Sequence, residues 1–137
     1  MTPAAVATSS STSLDANVIT LQRLEGAVML GASLVAYAWL GQSWLVFGAL
    51  LLAPDLAMLF YLRSFRAGTL SYNLVHTYVG PALLALLGLL VGPWAFGLAA
   101  IWTAHIGMDR MIGYGLKLST GFTHTHLGLK GKARRDR

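Results

Sequence analysis

The apolar run WLVFGALLLAPDLAMLFYL occupies residues 44–62 and contains one charged side chain, Asp55. As an α-helix this run would be about 28 Å long, close to the roughly 30 Å hydrocarbon core of a bilayer. Three similar runs cover about residues 16–40, 70–91 and 94–117. A chain of 137 residues could not bury that much apolar surface as a soluble domain. We therefore predict an all-α membrane protein, a bundle of four transmembrane helices with short outer turns.

The overall composition agrees with this fold class. Hydrophobic residues make up 55% of the chain and charged residues only 11%, whereas an ordinary soluble domain has roughly 25% charged residues. A soluble globular enzyme, a disordered chain and a coiled coil are thereby excluded. The chain has no cysteine, so any metal site must use histidine, aspartate and glutamate ligands.

Composition also divides the chain into three parts. Residues 1–16 are rich in Ser and Thr and poor in large apolar groups, so we expect a disordered head. Residues 17–117 form the predicted four-helix transmembrane domain. Residues 118–137 form a tail that contains histidines and ends in basic residues. The head lacks a signal-peptide pattern, so the first helix is expected to direct membrane insertion.

Lys and Arg are distributed asymmetrically between the two sides of the bundle. The predicted outer turns, at 41–43 and 91–93, contain neither residue. By the positive-inside rule, both termini face the cytoplasm. Basic residues placed at helix ends and in the tail favour the lipid bilayer as partner, and we predict no nucleic-acid partner. The cationic residues of this side are Arg23, Arg63, Arg66, Arg110, Lys117 and the group from Lys130 to Arg137.

Each predicted helix carries at least one polar group within its apolar run. Ionisable groups in hydrocarbon are costly unless they are paired, neutralised or hydrated, so they are expected to face the bundle interior. At about 1.5 Å per residue, the acids and histidines lie roughly 12–18 Å from the cytoplasmic helix ends. If the first helix begins near Arg23, Glu25 lies closer to the membrane surface than the other acids and the histidines do. The polar set is Glu25, Asp55, Asn73, His76, His105, Asp109 and Arg110.

Carboxylates and imidazoles from several helices are typical ligands of a divalent metal in a helix bundle. His105 and Asp109 are four residues apart and therefore share a helix face. Glu25 is interpreted as a further ligand or as a general base, and Asn73 as a contact to a ligand or to a substrate. The predicted metal ligands are Asp55, His76, His105 and Asp109, and the candidate ions are Zn, Mn and Fe.

Two prolines interrupt the predicted helices. Pro54 lacks a backbone donor and collides with the carbonyl of Leu50, so the second helix is predicted to kink or open beside Asp55. Pro81 likewise collides with the carbonyl of Thr77, so the third helix is also predicted to kink or open. Freed carbonyls within a membrane need partners, and a hydrated cavity or a cation can supply them. These breaks favour a polar pocket that opens to the cytoplasm.

Beyond the fourth helix, the stretch GYGLKLSTGFTHTHLG contains two further histidines, His124 and His126. In an extended backbone, both rings of such a pair lie on one side. Gly113, Gly115 and Gly121 allow the chain to reverse, so the stretch is predicted either to cover the pocket as a lid or to form an interfacial loop. The interfacial alternative is favoured for His124.

Several segments, in this order and spacing, resemble one family: RLEGA, LLAPDLAML, YNLVHTY, WTAHIGMDRMIGYGLK and FTHTHLG. The resemblance covers about residues 21–128, and the family comprises small bacterial integral membrane proteins with a domain of unknown function (domain of unknown function 4260). It implies a multi-pass protein of the bacterial inner membrane and implies no particular reaction. The family pattern falls on Glu25, Pro54, Asp55, Tyr72, Asn73, His76, His105, Asp109, Arg110, Gly113, Tyr114, Gly115, Lys117, Thr125 and His126.

Within this set we assign expected roles. The predicted catalytic residues are Glu25, Asp109 and Arg110. The predicted substrate-binding residues are Tyr72, Asn73, Lys117 and His126.

Three functional interpretations stay open. The first is a metal-dependent enzyme that acts on a lipidic, membrane-soluble substrate. The second is a proton-coupled carrier in which Glu25, Asp55 and Asp109 exchange protons, and four spans would suffice for it only as a homo-oligomer. The third is a structural or partner-binding protein, in which Arg23 or Arg110 pairs with the acids and neutral histidines link the helices.

Overall fold

A computed structural model describes the backbone of residues 3–129 and the side chains of residues 16–129. Residues 3–16, part of the head that the sequence predicts to be disordered, form the start of the first helix, and the basic end of the tail after residue 129 lies outside the described residues. The elements are α1 (Pro3–Trp39), α2 (Trp44–Leu50), a 3-10 helix (Ala53–Leu62), α3 (Phe65–Val75), α4 (Val79–Val91), α5 (Pro93–Ile112), β1 (His124–Thr125) and β2 (Gly128–Leu129).

Several of these helices are suited to a membrane. Ala16–Trp39 and Trp44–Leu62 are long and apolar enough to cross one, and few of their residues are buried inside the protein. α3 and α4 together form a third candidate span that is bent by 47°. α5 is not among these candidates, since its 20 residues include the polar groups of the site. The chain is therefore mostly helical, with two or three candidate membrane spans.

The second span changes its helix type beside Pro54. Its α-helical part ends at Leu50, and the 3-10 helix begins at Ala53, with Asp55 in the first turn. The ring of Pro54 cannot continue the α-helical hydrogen bonding, which confirms the predicted irregularity at this point. Asp55 is thus presented from a tighter helix than an α-helix.

The third candidate span breaks between α3 and α4. Pro81 lacks the N–H that would bond to Thr77, so one continuous α-helix cannot pass this point. Two side chains of α5 bond to the carbonyls at the break. Trp102 Nε1 donates to the Val75 carbonyl at 2.6 Å, and Arg110 Nη2 donates to the His76 carbonyl at 3.2 Å. α5 therefore holds the break in place.

α5 is the central helix and packs along both α1 and α4. Its closest approach to α1 is at two glycines. A Cβ atom on Gly26 would lie 2.8 Å from the Gly107 carbonyl oxygen, and one on Gly107 would lie 2.7 Å from the Leu30 amide nitrogen. Small residues at such crossings allow membrane helices to pack backbone against backbone.

α5 ends earlier than the sequence predicted. The prediction extended the helix to Lys117, but Gly113 adopts φ 88°, and its N–H and that of Tyr114 bond back to the last turn. This left-handed glycine closes the helix at Ile112. The chain then reverses into the short antiparallel hairpin of β1 and β2, which lies beside Lys117.

Candidate metal centre

Four predicted ligands converge from three elements. Asp55 comes from the first turn of the 3-10 helix, and His76 is the residue that caps the C-terminus of α3. His105 and Asp109 lie on one face of α5, one turn apart. One possible ligand atom from each of the four residues lies within 4.8 Å of the others.

Five of the six separations between these ligand atoms are close to the edges of a tetrahedron. The two histidine Nε2 atoms are 3.0 Å apart. From Asp55 Oδ1, the Nε2 atoms of His76 and His105 are 3.3 and 3.6 Å away, and from Asp109 Oδ2 they are 3.6 and 3.8 Å away. An ion held at about 2.1 Å by four ligands would place them about 3.4 Å apart. The donor set therefore fits a divalent ion such as Zn²⁺.

The tautomer of His76 is fixed by the backbone. Its Nδ1 lies 2.8 Å from the Tyr72 carbonyl oxygen, which can only accept a hydrogen bond. Nδ1 therefore carries the proton in the neutral ring, and the lone pair of Nε2 faces the cluster. Metal-binding histidines commonly use their second nitrogen in this way. The ring also stacks on Tyr72, with centroids 3.7 Å apart.

His105 is less constrained than His76. Its Nδ1 is buried and has no hydrogen-bond partner among the described residues. Its Nε2 instead faces several acceptors, so in the neutral ring without a metal ion the proton lies on Nε2. In the neutral ring, one Nε2 proton could satisfy only one of three facing acceptors, namely His76 and the two carboxylates. Without a bound cation, the cluster therefore contains more hydrogen-bond acceptors than protons that could be donated to them.

The cluster is closed on one side and open on the other. The side chains of His76 and His105 are 3% and 0% exposed, and that of Asp109 is 15% exposed, whereas that of Asp55 is 41% exposed. Beside Asp55 lies an apolar cavity of 380 Å³. It is lined by residues that adjoin the ligands along the chain or lie one turn away, including Pro54, Val75, Ile101 and Trp102.

Tyr72 and Lys117 lie next to the cluster, on the side where α5 ends. The Tyr72 hydroxyl lies 3.4 Å from Asp109 Oδ2, to which it can donate. The Lys117 ammonium lies 3.4 Å from the ring centroid of Phe122, 4.8 Å from that of Tyr72 and 5.5 Å from that of Tyr61. Burial lowers the pKa of Lys117, although the charges of the two cluster aspartates oppose this shift.

The Asn73 side chain binds the backbone of the segment that follows α5. Its Nδ2 donates to the Lys117 carbonyl at 2.9 Å, and its Oδ1 accepts from the Lys117 amide at 2.7 Å. The amide group is therefore engaged with the protein itself. Asn73 fixes the position of Lys117 relative to the cluster.

We expect Asn73→Ala to release this segment. Loss of two hydrogen bonds costs about 2 kcal/mol, so local opening should increase about thirtyfold. Tryptic cleavage after Lys117, followed by mass spectrometry, measures this opening. Asn17→Ala, at an exposed position of α1, is the matched control and should cleave at the wild-type rate. Equal cleavage rates in the two variants would contradict the proposed positioning.

Glu25 lies outside the metal cluster. α1 contacts α5 at Gly107. His105 and Asp109 each lie about 160° around α5 from Gly107, so they are on the face of α5 that points away from α1. Glu25 instead lines a separate polar cavity of 210 Å³ together with Arg110 and His126. The structure thus groups these three predicted site residues at a second location.

His126 lies in the turn of the hairpin and is held by polar contacts. Its Nδ1 accepts from the Leu116 amide at 2.8 Å, and Nε2 lies 3.0 Å from Gln22 Oε1. Burial and the nearby Arg110 charge lower the pKa of His126. The second histidine of the pair, His124, contacts Thr120 instead, at 2.9 Å.

Comparison with known proteins agrees with the resemblance that the sequence motifs indicate. The family described as a domain of unknown function (DUF4260) matches residues 19–129. The chain belongs to this family. No curated protein and no solved structure matches the chain at a significant level. The match to DUF4260 includes all four cluster residues and the hairpin.

Sequence reasoning on this DUF4260 chain missed two residues near the sites. Phe122 approaches the Lys117 ammonium, and Tyr78 lines the polar cavity. Neither residue carries a charge that would have distinguished it within an apolar or loop segment. Tyr78 could have been singled out because it lies immediately after the helix break.

Proposed function

We propose that this protein is a membrane-embedded divalent-metal protein in which Asp55, His76, His105 and Asp109 bind the ion. The observation that carries the proposal is the convergence of two imidazole nitrogens and two carboxylate oxygens, all within 4.8 Å of one another. The nitrogen and oxygen donor set suits Zn²⁺ best, with Mn²⁺ and Fe²⁺ as the other candidates.

We further propose that the centre acts on a lipidic substrate. The apolar cavity beside Asp55 supports this class, because its lining is almost wholly hydrocarbon and offers nothing to bind a polar solute. A bound divalent ion would supply Lewis acidity. Tyr72 would hold Asp109 through its hydroxyl, while Asp55, the most exposed of the four ligands, would be the one most accessible to a substrate.

The same proposal includes the membrane arrangement. We propose that α5 is a fourth span, because α1 and α4 pack along it and its length of about 30 Å equals the hydrocarbon thickness. Both termini and the hairpin then lie on the cytoplasmic side of the bacterial inner membrane, where the positive-inside rule places Arg23 and Lys117.

Elemental analysis tests the metal assignment. The full chain is purified in mild detergent without a histidine tag or chelators and then incubated with Zn²⁺, Mn²⁺ or Fe²⁺. We expect about one tightly bound ion per wild-type chain and a loss of at least 90% in the His76→Ala, His105→Ala double variant. His124→Ala, a histidine outside the cluster, should retain the wild-type content.

Circular dichroism establishes that the double variant is helical before its metal content is compared. Full metal retention in a folded double variant would refute the assigned ligands. Failure of all three ions to bind wild type would refute the metal proposal and favour a structural brace of neutral histidines and acids.

A further inference from the structure

An apolar groove runs along the face of the bundle opposite the metal cluster. It has a volume of 710 Å³ and lies between α1 and α4, with α5 as its floor. Its length along α1, from Met29 to Leu40, is about 17 Å, and in the proposed topology it extends toward the outer turns. The volume is typical of ligand sites, and the length suits one acyl chain.

The groove meets the polar cavity at Tyr78. This residue lines both spaces, so they adjoin at its side chain. The Tyr78 hydroxyl is buried and has no hydrogen-bond partner among the described residues. A buried hydroxyl without a partner is destabilising, so a ligand that accepts its hydrogen bond would be stabilised there.

The polar cavity contains both a cation and an anion. Arg110 has five N–H donors, and its contacts to His76 and His126 leave others available. Glu25 is exposed and forms no ion pair with any described residue. A ligand that fits this cavity therefore carries a negative group for Arg110 and a positive group for Glu25.

We propose that the groove and the cavity together bind one phospholipid whose head group carries an ammonium. Its phosphate would face Arg110, its ammonium would face Glu25, and an ester carbonyl would accept from the Tyr78 hydroxyl. One acyl chain would then lie in the groove. The ammonium distinguishes this lipid from an anionic phospholipid, which offers Glu25 no partner. This site shares no side chain with the metal cluster, although Arg110 follows Asp109 in the chain and donates to the His76 carbonyl.

Native mass spectrometry of the full chain in detergent tests the proposal. The probes are dioleoylphosphatidylethanolamine, dioleoylphosphatidylglycerol and free phosphoethanolamine. We expect wild type to bind the ethanolamine lipid at least tenfold more tightly than the glycerol lipid. Glu25→Gln should remove this preference by weakening the ethanolamine lipid alone. Free phosphoethanolamine should bind at least a hundredfold more weakly than the lipid.

A matched pair of variants tests the groove. Ala36→Trp fills it and should weaken both lipids at least tenfold, whereas Ala38→Trp lies outside it on the same helix and should bind as wild type does. Equal affinity of wild type for both lipids would overturn the head-group assignment. Equal binding by the two tryptophan variants, or free phosphoethanolamine binding as tightly as the lipid, would overturn the groove assignment.

Discussion

Gly107→Leu should displace α1 from α5 and destabilise the protein by about 3 kcal/mol, the upper end of overpacking effects. The reason is that the nearest atoms belong to the backbone of α1. A Cβ at this position would lie 2.7 Å from the Leu30 amide nitrogen and 2.8 Å from the Gly26 carbonyl oxygen. Backbone atoms cannot rotate away as the end of a side chain can, so the whole helix must move.

Gly31→Leu is the control for this prediction. Gly31 lies on α1 as well, but a Cβ there would meet nothing within 4 Å. Both variants add the same apolar side chain, so they differ only in the space around it. Thermal unfolding in a single detergent, followed by circular dichroism, compares their stabilities. If both variants unfold at the same temperature, the glycine crossing is not what holds α1 to α5.

Removal of the proposed ion should lower the unfolding temperature of wild type by about 10 °C. A ligand at a hundredfold excess over its dissociation constant stabilises the folded state by about 2.7 kcal/mol. For a domain of this size, each kcal/mol shifts the midpoint by roughly 3–5 °C. The ion would connect the 3-10 helix, α3 and α5 through Asp55, His76, His105 and Asp109, so its removal loosens three elements at once.

Calorimetry before and after chelation measures this shift. The His76→Ala, His105→Ala double variant should show no response to chelator, whereas His124→Ala should respond as fully as wild type does. A chelator response that persists in the double variant would mean that the stabilising ion binds elsewhere.

The convergence of the four cluster residues could be predicted from the sequence. Spacing along a helix places His105 and Asp109 on one face, and the cost of ionisable groups in hydrocarbon directs them inward. Proline chemistry also located the two helix breaks, because a missing N–H and a ring clash act locally and need no tertiary information. Asp55 and His76 lie at those breaks.

Tertiary packing determined what could not be predicted. The face of α1 that meets α5 depends on the fit of Gly26 against Gly107, and this fit places Glu25 in a different cavity from the cluster. Similarly, α5 ends early because of the conformation of Gly113. Because the helix ends there, the backbone of Lys117 is free to pair with the Asn73 side chain. Helical periodicity contains no information about either contact.

The 3-10 helix also has a consequence for bilayer thickness. Its 10 residues rise about 2.0 Å each, so they extend about 5 Å further than the same residues would in an α-helix. The span from Trp44 to Leu62 is therefore suited to a thicker membrane than its residue count implies. Asp55 lies in the same stretch. A change in bilayer thickness that shifts or tilts this span would therefore also move the Asp55 carboxylate.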